Sequence, residues 1–170
     1  MNSIKLNIIV ACDEERGIGK SNSIPWKVHC DMMFFRNRTI GKGKNAVIMG
    51  RNTYESIPSK FRPLKDRHNL VLSSSMDPDD VPCGVFVFSN MNELLQYCTK
   101  IYYEKIWVIG GQSVYLDIIQ NYTRFIDKIY ITRISGVYNC DTSFPKIEDS
   151  FHFDHIINLQ KDVNVYVYSN

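Results

Sequence analysis

The chain has 170 residues, of which 44% are hydrophobic and 22% are charged, and its formal net charge is +2. No apolar run approaches the roughly 20 residues that a membrane helix needs, and so small a net charge gives no reason to expect a nucleic-acid-binding protein. The basic residues Arg36, Arg38, Lys42 and Lys44 are interpreted as a solvated loop. We expect one soluble domain over residues 1–170, with no membrane or nucleic-acid partner.

The five cysteines and the amino terminus indicate the compartment. The cysteine number is odd, the spacing is wide and no CxxC pair occurs, which favours reduced thiols over disulfides, zinc ligands or a redox pair. Residues 1–11 lead directly into a predicted strand and lack the pattern of a secretory signal. His152 and His155 stand three apart in another predicted strand, so their side chains are expected on opposite faces. We expect a cytoplasmic protein, a monomer by default, without a metal site.

Strand-like and helix-like segments alternate through most of the chain. Short runs of aliphatic and β-branched residues predict strands, and the segments between them have helical character. Asn90, followed three residues later by Glu93, is typical of a helix amino terminus. The alternation favours parallel strands joined by crossover helices. The predicted strands are 4–12, 45–49, 69–73, 85–88 and 105–109, and the predicted helices are 28–38, 51–57, 90–100 and 112–121.

The carboxyl-terminal part of the chain has a different pattern. After Asp127 only strands are predicted, at 128–135, 151–158 and 163–169. The final two are expected to form an antiparallel pair. The fold class is therefore α/β with a mixed sheet, and no internal repeat or long linker divides it.

Three motifs of other enzyme classes are missing or incomplete. Gly17-Ile18-Gly19 begins like a dinucleotide fingerprint, but the third glycine is missing and a Pro-Trp loop follows instead of a helix. The sequence has no GxxxxGK[ST] phosphate loop and no Gly-x-Ser-x-Gly elbow. A Rossmann site, a P-loop nucleotidase and an esterase are therefore disfavoured.

Four other features can carry chemistry. They are Ile24-Pro25-Trp26, Asp31 at the start of a helix, Gly50-Arg51-Asn52-Thr53, and Gly110-Gly111-Gln112-Ser113. Each lies at a predicted strand-to-helix transition, and ligands in open α/β sheets bind beyond the carboxyl ends of strands. The four features are therefore predicted to share one cleft.

The two glycine-led turns are candidates for binding a dinucleotide. The backbone at Gly110 and Gly111 carries no side chains, and amides at the start of the next helix can hold phosphate oxygens. Arg51 can bind a second phosphate through two hydrogen bonds. The alternative is that Gly110 and Gly111 merely end a buried strand. The second glycine-led turn, at Gly50-Arg51, favours a binding site over a simple strand end.

Asp31 is the carboxylate of this group. Four apolar residues follow it, so its side chain is expected to border an apolar pocket. Desolvation there would raise the pKa of Asp31, and a bound cationic heterocycle would lower it. Taken alone, Asp31 fits equally well an ordinary aspartate in the first turn of a helix.

Motifs throughout the chain extend this pattern. They are Gly17-Ile18-Gly19, Ile24-Pro25-Trp26, Asp31 with Phe35, residues 47–53, Ser56-Ile57-Pro58, Arg62-Pro63-Leu64, residues 69–73, residues 108–111, Tyr130-Ile131-Thr132 and residues 141–145. In this order they resemble the dihydrofolate reductase family, specifically from Ile8 to about Phe144 and more loosely beyond. The resemblance implies one domain with a central, mostly parallel eight-stranded sheet, flanking helices and an antiparallel carboxyl-terminal strand.

The same resemblance implies an activity, the NADPH-dependent reduction of 7,8-dihydrofolate to 5,6,7,8-tetrahydrofolate for one-carbon metabolism and thymidylate synthesis. Asp31 would bind the pterin ring nitrogen and exocyclic amine with support from Thr132. Arg67 matches the arginine that grips the α-carboxylate of the glutamate tail, a task that suits the guanidinium fork. Antifolates such as methotrexate would occupy the same site. Residues that match the pocket wall, and that equally fit a structural core, are Ile9, Val10, Met32, Phe35, Ile57, Leu64 and Ile109.

For the cofactor, the resemblance implies an NADPH groove in which Arg51 is the candidate for the 2′-phosphate. Positions that are often basic in relatives are Asn52, Ser74 and Asn90 here, so fewer cations surround that phosphate. The matching residues are Ala11, Ile18, Gly50, Arg51, Asn52, Thr53, Leu72, Ser73, Ser74, Gly110, Gly111, Gln112, Ser113, Val114 and Tyr115.

The chemistry implied by the resemblance is hydride transfer to pterin C6 with protonation at N5. The catalytic residues would be Asp31 and Trp26. In the family's binding mode Asp31 is too far from N5 to protonate it, so a water near Trp26 is the expected donor and Asp31 supplies orientation and electrostatic bias. Asp141-Thr142 matches the loop that supports a mobile lid from Glu15 to Ile24.

Two other functions are compatible with parts of this pattern. A pyrimidine reductase of riboflavin synthesis shares the fold and the NADPH chemistry, but Asp31 and Arg67 argue against it. A catalytically silent folate-binding or regulatory protein, with an RNA or nucleotide on the basic residues 36–44, is the second alternative. The complete set of site residues disfavours it.

Overall fold

A computed structural model describes residues 3–170, and residues 1–2 of the predicted domain lie outside the described residues. The strands are β1 (Leu6–Cys12), β2 (Gly17–Gly19), β3 (Asn45–Gly50), β4 (Arg67–Leu72), β5 (Val85–Phe88), β6 (Ile106–Gly110), β7 (Ile126–Arg133), β8 (Thr142–Ser143), β9 (His152–Gln160) and β10 (Val163–Ser169). The helices are α1 (His29–Ile40), α2 (Arg51–Ser56), α3 (Met91–Lys100) and α4 (Gln112–Asn121).

Eight strands form one sheet in the order β5-β4-β3-β6-β1-β7-β10-β9. Neighbours from β5 to β7 pair in parallel, whereas β10 pairs antiparallel with both β7 and β9. Parallel strands need crossover connections, and each of the four helices lies between two strands of the parallel part. The prediction of a mostly parallel eight-stranded sheet with an antiparallel end is confirmed.

The end of α1 differs from its prediction. The helix continues to Ile40, and Gly41 ends it with a left-handed φ of 54° while its N–H donates to the Asn37 carbonyl. Arg36 and Arg38 therefore lie on an exposed side of a helix. Their interpretation as part of a solvated loop is wrong, because they belong to the helix predicted over 28–38, whereas Lys42 and Lys44 do lie exposed after the helix ends.

The start of α3 is as predicted. The Asn90 side chain accepts a hydrogen bond from the Glu93 backbone N–H at 3.0 Å. The Glu93 carboxylate in turn accepts from the Ser89 hydroxyl at 2.8 Å and from the Ser89 N–H at 3.3 Å. These bonds satisfy donors that a helix amino terminus otherwise leaves free.

The sheet carries a buried core on each face. The α1-side core contains Ile9, Met49 and Trp107 and receives Tyr54 from α2. The α4-side core contains Ile8 and Val10 and receives α3 and α4. Because successive side chains of a strand point to opposite faces, β1 contributes to both cores and is nearly inaccessible to solvent along its length.

A second, two-stranded sheet lies outside the main one. β2 pairs antiparallel with β8, with Gly17 opposite Ser143 and Gly19 opposite Thr142. Neither strand was predicted, because both are too short, and β2 too rich in glycine, to show a strand pattern. Among residues 3–170, no helix is both long and apolar enough to cross a membrane, and no three His, Cys, Asp or Glu side chains are grouped as a metal site requires.

Candidate active site

The cleft lies at the carboxyl edge of the parallel strands. β3 ends at Gly50, β4 at Leu72 and β6 at Gly110, and parallel strands bring the turns that follow them to one edge. α1 begins at the same edge because it returns from β1 to β3. The glycine-led turns and Asp31 are thus brought together, and Trp26 is buried just ahead of α1.

Asp31 lies half-buried in the first turn of α1. Burial raises the pKa of its carboxyl group, and interaction with the Thr132 hydroxyl partly offsets the rise. Thr132 is itself almost fully buried on β7. A carboxylate in this setting is poorly solvated, so it is stabilised by a ligand that offers hydrogen-bond donors or positive charge.

Tyr115 links α4 to the same region. Its hydroxyl donates to the Ile9 carbonyl at 2.8 Å. Burial, together with the charges of Cys12 and Asp31, raises the pKa of Tyr115, so the hydroxyl stays protonated as a donor. The α4 helix, which follows the predicted cofactor turn, is therefore fixed to β1, which carries part of the predicted substrate wall.

Apolar side chains line the α1 side of the cleft. Met32, next to Asp31, is 61% exposed and free to contact a ligand. Val10 is different, because its side chain packs in the α4-side core and only its backbone is available on the α1 side. The predicted wall residues that pack in or against the α1-side core are Ile9, Phe35, Ile57, Leu64 and Ile109.

Arg67 lies at the start of β4, half-buried rather than on the open surface. Its Nε donates to the Lys65 carbonyl at 2.8 Å and its Nη1 donates to the Thr39 hydroxyl at 2.9 Å. Burial and the nearby Arg36 guanidinium lower the pKa of Arg67 to about 10, so it stays charged at neutral pH. Repulsion between the Arg36 and Arg67 guanidinium groups favours the binding of an anion near them.

α1 connects Asp31 to the neighbourhood of Arg67. Asp31, Phe35 and Thr39 are spaced four residues apart and so form one stripe of the helix. At a rise of roughly 1.5 Å per residue, Asp31 and Thr39 are about 12 Å apart along the axis. The α1 stripe therefore places a carboxylate near one end and the contact to an arginine near the other, with Phe35 between them.

The turn at Gly110 and Gly111 brings three elements close together. Gly110 has a φ of +119°, and a Cβ there would lie 3.2 Å from the Tyr115 ring. A Cβ at Gly111 would lie 3.2 Å from Thr53 Oγ1, and the peptide between the two glycines is cis. The positive φ of Gly110 and the close contacts that a Cβ would make at both positions call for glycine.

Arg51 lies exposed where β3 passes into α2. Its Nη1 donates to Ser75 Oγ at 2.6 Å, and its Nε donates to Glu55 Oε1 at 2.8 Å. Ser73, just after β4, accepts from the N–H groups of Ser75 and Met76. Arg51 thus faces a short run of serines, with one acidic partner.

The remaining predicted cofactor residues surround this edge. Asn52, Ser74, Gln112 and Ser113 are exposed, whereas Ala11, Ile18, Leu72 and Thr53 are partly buried. Val114 is buried, and its Cγ2 would lie 3.3 Å from a Cβ at Gly50. The side chains available to a ligand are therefore mostly polar.

The predicted lid, residues 15–24, is held by the segment around β8. Asp141 accepts from the Ser21 N–H at 2.8 Å, and the Thr142 hydroxyl donates to the Gly19 carbonyl at 3.2 Å. Gln112 of α4 accepts from the Ser143 N–H at 2.7 Å. The contact that sequence matching implied between Asp141-Thr142 and the lid is present.

Sequence reasoning missed Asp13, which anchors the base of the lid. Its carboxylate accepts from the N–H groups of Gly17 at 2.7 Å, Glu15 at 2.9 Å and Tyr138 at 3.0 Å. Burial acts to raise the pKa of Asp13, but these amides outweigh it and lower the pKa below the ordinary value. An aspartate directly after a buried strand and four residues before a glycine was the available signal.

Comparison with known proteins decides the family. A family model described as dihydrofolate reductase matches residues 5–168. The chain belongs to the dihydrofolate reductase family. The resemblance predicted from the motifs is confirmed, and with it an oxidoreductase of this family, whose members reduce dihydrofolate.

Relatives of different kinds share this similarity. The chain is 39% identical over 160 residues to the dihydrofolate reductase of Heliothis virescens, covering 89% of this chain and 85% of that protein. It is 41% identical over 154 residues to the viral dihydrofolate reductase of Saimiriine herpesvirus 2 (strain 488), covering 84% and 70%. It is 37% identical over 167 residues to the bifunctional dihydrofolate reductase-thymidylate synthase of Leishmania major, covering 81% and 32%.

Proposed function

We propose that this protein reduces 7,8-dihydrofolate to 5,6,7,8-tetrahydrofolate with NADPH as the hydride donor. The observation that carries the proposal is the arrangement along α1, with the desolvated Asp31 near one end and Arg67 near the other. Dihydrofolate has a donor-rich pterin edge, an apolar benzoyl linker and an anionic glutamate tail. Its polarity therefore matches this arrangement of carboxylate, apolar side chains and arginine from end to end.

On the substrate side, Asp31 accepts hydrogen bonds from the pterin ring nitrogen and amine, with Thr132 beside it. Arg67 binds the α-carboxylate of the glutamate tail through the N–H groups that Lys65 and Thr39 do not use. The proposed wall around the pterin and benzoyl rings is formed by Ile9, Val10 through its backbone, Met32, Phe35, Ile57, Leu64 and Ile109. The same groups would bind antifolates such as methotrexate.

The cofactor fits the other side of the edge. The bare backbone of Gly110 and Gly111 ahead of α4 can approach a pyrophosphate closely, and Thr53 beside it offers a hydroxyl. Arg51 with Ser73 and Ser74 would hold the 2′-phosphate. The other residues proposed to hold NADPH are Ala11, Ile18, Gly50, Asn52, Leu72, Gln112, Ser113, Val114 and Tyr115. When bound, NADPH supplies the hydride that reaches pterin C6.

Asp31 and Trp26 are the proposed catalytic residues. Asp31 orients the pterin, and its negative charge favours the protonated form of the ring, so that N5 can gain its proton from a water beside Trp26. Trp26 is 8% exposed and packs edge-on against Tyr138, with ring centroids 5.2 Å apart. The lid, fastened at Asp141 and Thr142, would limit the access of other waters to this site.

All the residues named belong to one chain, so a monomer over one domain is sufficient for the proposed activity. The five unpaired cysteines fit a reducing compartment such as the cytoplasm. These two points are part of the proposal.

The test is NADPH oxidation by the purified protein, followed by absorbance with and without dihydrofolate and repeated with methotrexate. Oxidation that depends on dihydrofolate and is blocked by methotrexate supports the proposal. If both ligands bind without turnover, the protein is a silent folate binder. If neither ligand binds, the assignment of the site residues fails.

A further inference from the structure

Thr39 is a buried hydroxyl in the last turn of α1, at the end opposite Asp31. Its Oγ1 donates to the Phe35 carbonyl at 2.8 Å and accepts from Arg67 Nη1 at 2.9 Å. A hydroxyl has one proton and two lone pairs, so both bonds form together. The bond to Phe35 fixes the hydroxyl proton and turns a lone pair toward Arg67.

Asn45, at the start of β3, holds this end of the helix in place. Its Nδ2 donates to the Thr39 carbonyl at 3.0 Å, and its Oδ1 accepts from the Lys105 N–H at 3.0 Å. Asn45 is 3% exposed and lies so close to Gly41 that a Cβ there would be 2.7 Å from Nδ2. Thr39 therefore cannot shift without breaking buried hydrogen bonds.

Arg67 is consequently held at two points of its guanidinium plane. Nε is fixed by the Lys65 carbonyl and Nη1 by the Thr39 hydroxyl. A guanidinium has five N–H donors, so about three stay available for an anion. A long arginine side chain loses considerable freedom when it binds a carboxylate, and this cost falls when its orientation is already set.

We propose that Thr39 is a positioning residue: its hydroxyl orients the guanidinium fork of Arg67 toward the glutamate tail before the substrate binds. This inference rests on the proposed function, because it assumes that Arg67 binds that tail. It adds that a buried hydroxyl, remote from the reacting atoms, determines how strongly the tail is recognised.

The experiment compares two substrates in three proteins. The substrates are dihydrofolate and a 7,8-dihydropterin without the benzoylglutamate tail, and the proteins are wild type, Thr39→Val and Thr39→Ser. Because a hydrogen bond to a charged group is lost, we expect Thr39→Val to raise KM for dihydrofolate about tenfold. It should leave kcat within about twofold and KM for the tail-less substrate unchanged. Thr39→Ser keeps the hydroxyl and should restore KM for dihydrofolate to within about twofold.

Equal increases in KM for both substrates would mean that Thr39 only supports the pocket, and no increase for either would mean that it does not orient Arg67. Either result overturns the inference. Arg67→Leu separates this outcome from failure of the proposed function. If Arg67→Leu raises KM for dihydrofolate but not for the tail-less substrate, and Thr39→Val does not, only the role of Thr39 is wrong. If Arg67→Leu changes KM for the two substrates by the same factor, the proposed role of Arg67 is wrong.

A binding measurement covers the case in which Thr39→Val is partly unfolded. Methotrexate carries a glutamate tail, whereas a simple 2,4-diaminopyrimidine antifolate does not. Tryptophan fluorescence titrations on the folded protein should show about tenfold weaker methotrexate binding and unchanged diaminopyrimidine binding. Parallel weakening of both ligands would overturn the inference.

Discussion

The two sides of the cleft place their charged groups in different surroundings. Asp31 and Arg67, along α1, are half-buried, whereas Arg51 and Glu55, near the end of β3, are exposed. Coulomb interactions are stronger where water is excluded, and salt screens them less there. The α1 side should therefore decide whether the reaction occurs, and the exposed side should adjust which nicotinamide cofactor is preferred.

Asp31→Asn should have the largest effect on activity, because it removes the half-buried carboxylate of the α1 side. Because the change removes the anion proposed to pair with the protonated pterin, we expect kcat at neutral pH to fall about a hundredfold or more, while NADPH binding is retained. Steady-state kinetics and a cofactor titration measure the two quantities. Asp149→Asn, an exposed change of the same kind, is the control and should leave both unchanged.

The same variant should be more stable than the wild type near neutral pH. The folded-state pKa of Asp31 is raised, so the folded protein binds its proton more tightly than the unfolded chain does. Stability from this group is therefore present at low pH and is lost as pH rises from the unfolded pKa, about 3.9, through the folded pKa. Urea unfolding should show a stability gain for Asp31→Asn that shrinks on acidification. A stability gain of equal size at every pH would show that the gain does not come from the raised pKa of Asp31.

Gly110→Ala tests the contact between the glycine turn and Tyr115, which links α4 to β1. A left-handed φ strains alanine, and the new Cβ would press on the Tyr115 ring, whose hydroxyl is bonded to Ile9. We expect a loss of about 1–3 kcal/mol in the free energy of unfolding, and weaker binding of dihydrofolate and of NADPH. Gly84→Ala is the matched control, because Gly84 has a φ of +87° with open space around it. Equal losses in the two variants would show that backbone strain alone is responsible.

Arg51→Gln should affect only the exposed side. The change removes the cation proposed for the 2′-phosphate, so we expect NADPH binding to weaken about tenfold at low salt and less at high salt. NADH has no 2′-phosphate and is the internal control. The measurement is equilibrium binding of both cofactors at two ionic strengths. Similar weakening of NADH would mean that Arg51 acts through the fold of α2.

The sheet was largely predictable because its signal is local. Runs such as those of β1 and β3 are apolar on both faces, and the Asn90–Glu93 pair marks a helix start within four residues. β2 and β8 were not predictable, because a pairing between two very short segments depends on the arrangement of the whole fold.

Supporting contacts of the candidate site were missed for the same reason. Thr39 meets Arg67 across 28 positions of sequence, and Arg51 meets Ser75 across 24. Asp31, Arg51 and the Gly110-Gly111 turn were found from their positions after predicted strands, and most other residues proposed to touch ligands were found through family motifs. Their partners, Thr39 and Ser75, are ordinary polar residues whose role depends on which chain segments become neighbours.

Glu55→Gln should have the smallest effect of these substitutions, on the exposed side of the cleft. Glu55 holds the Nε of Arg51 at 2.8 Å in an exposed ion pair, so its carboxylate would compete with the 2′-phosphate proposed to bind the same guanidinium. Exposed pairs of this kind contribute about 0.2–1 kcal/mol. Removing the carboxylate should therefore tighten NADPH binding by about two- to threefold at low salt, with NADH unchanged.

The control is Glu148→Gln, an exposed change far along the chain that removes the same charge from the protein as a whole. If both variants tighten NADPH equally, the effect belongs to net charge rather than to the Arg51 pair. If Glu55→Gln weakens NADPH instead, Glu55 orients Arg51 for the phosphate as Thr39 is proposed to orient Arg67. The two sides of the cleft would then use their arginines in the same way, and only the magnitude would separate them.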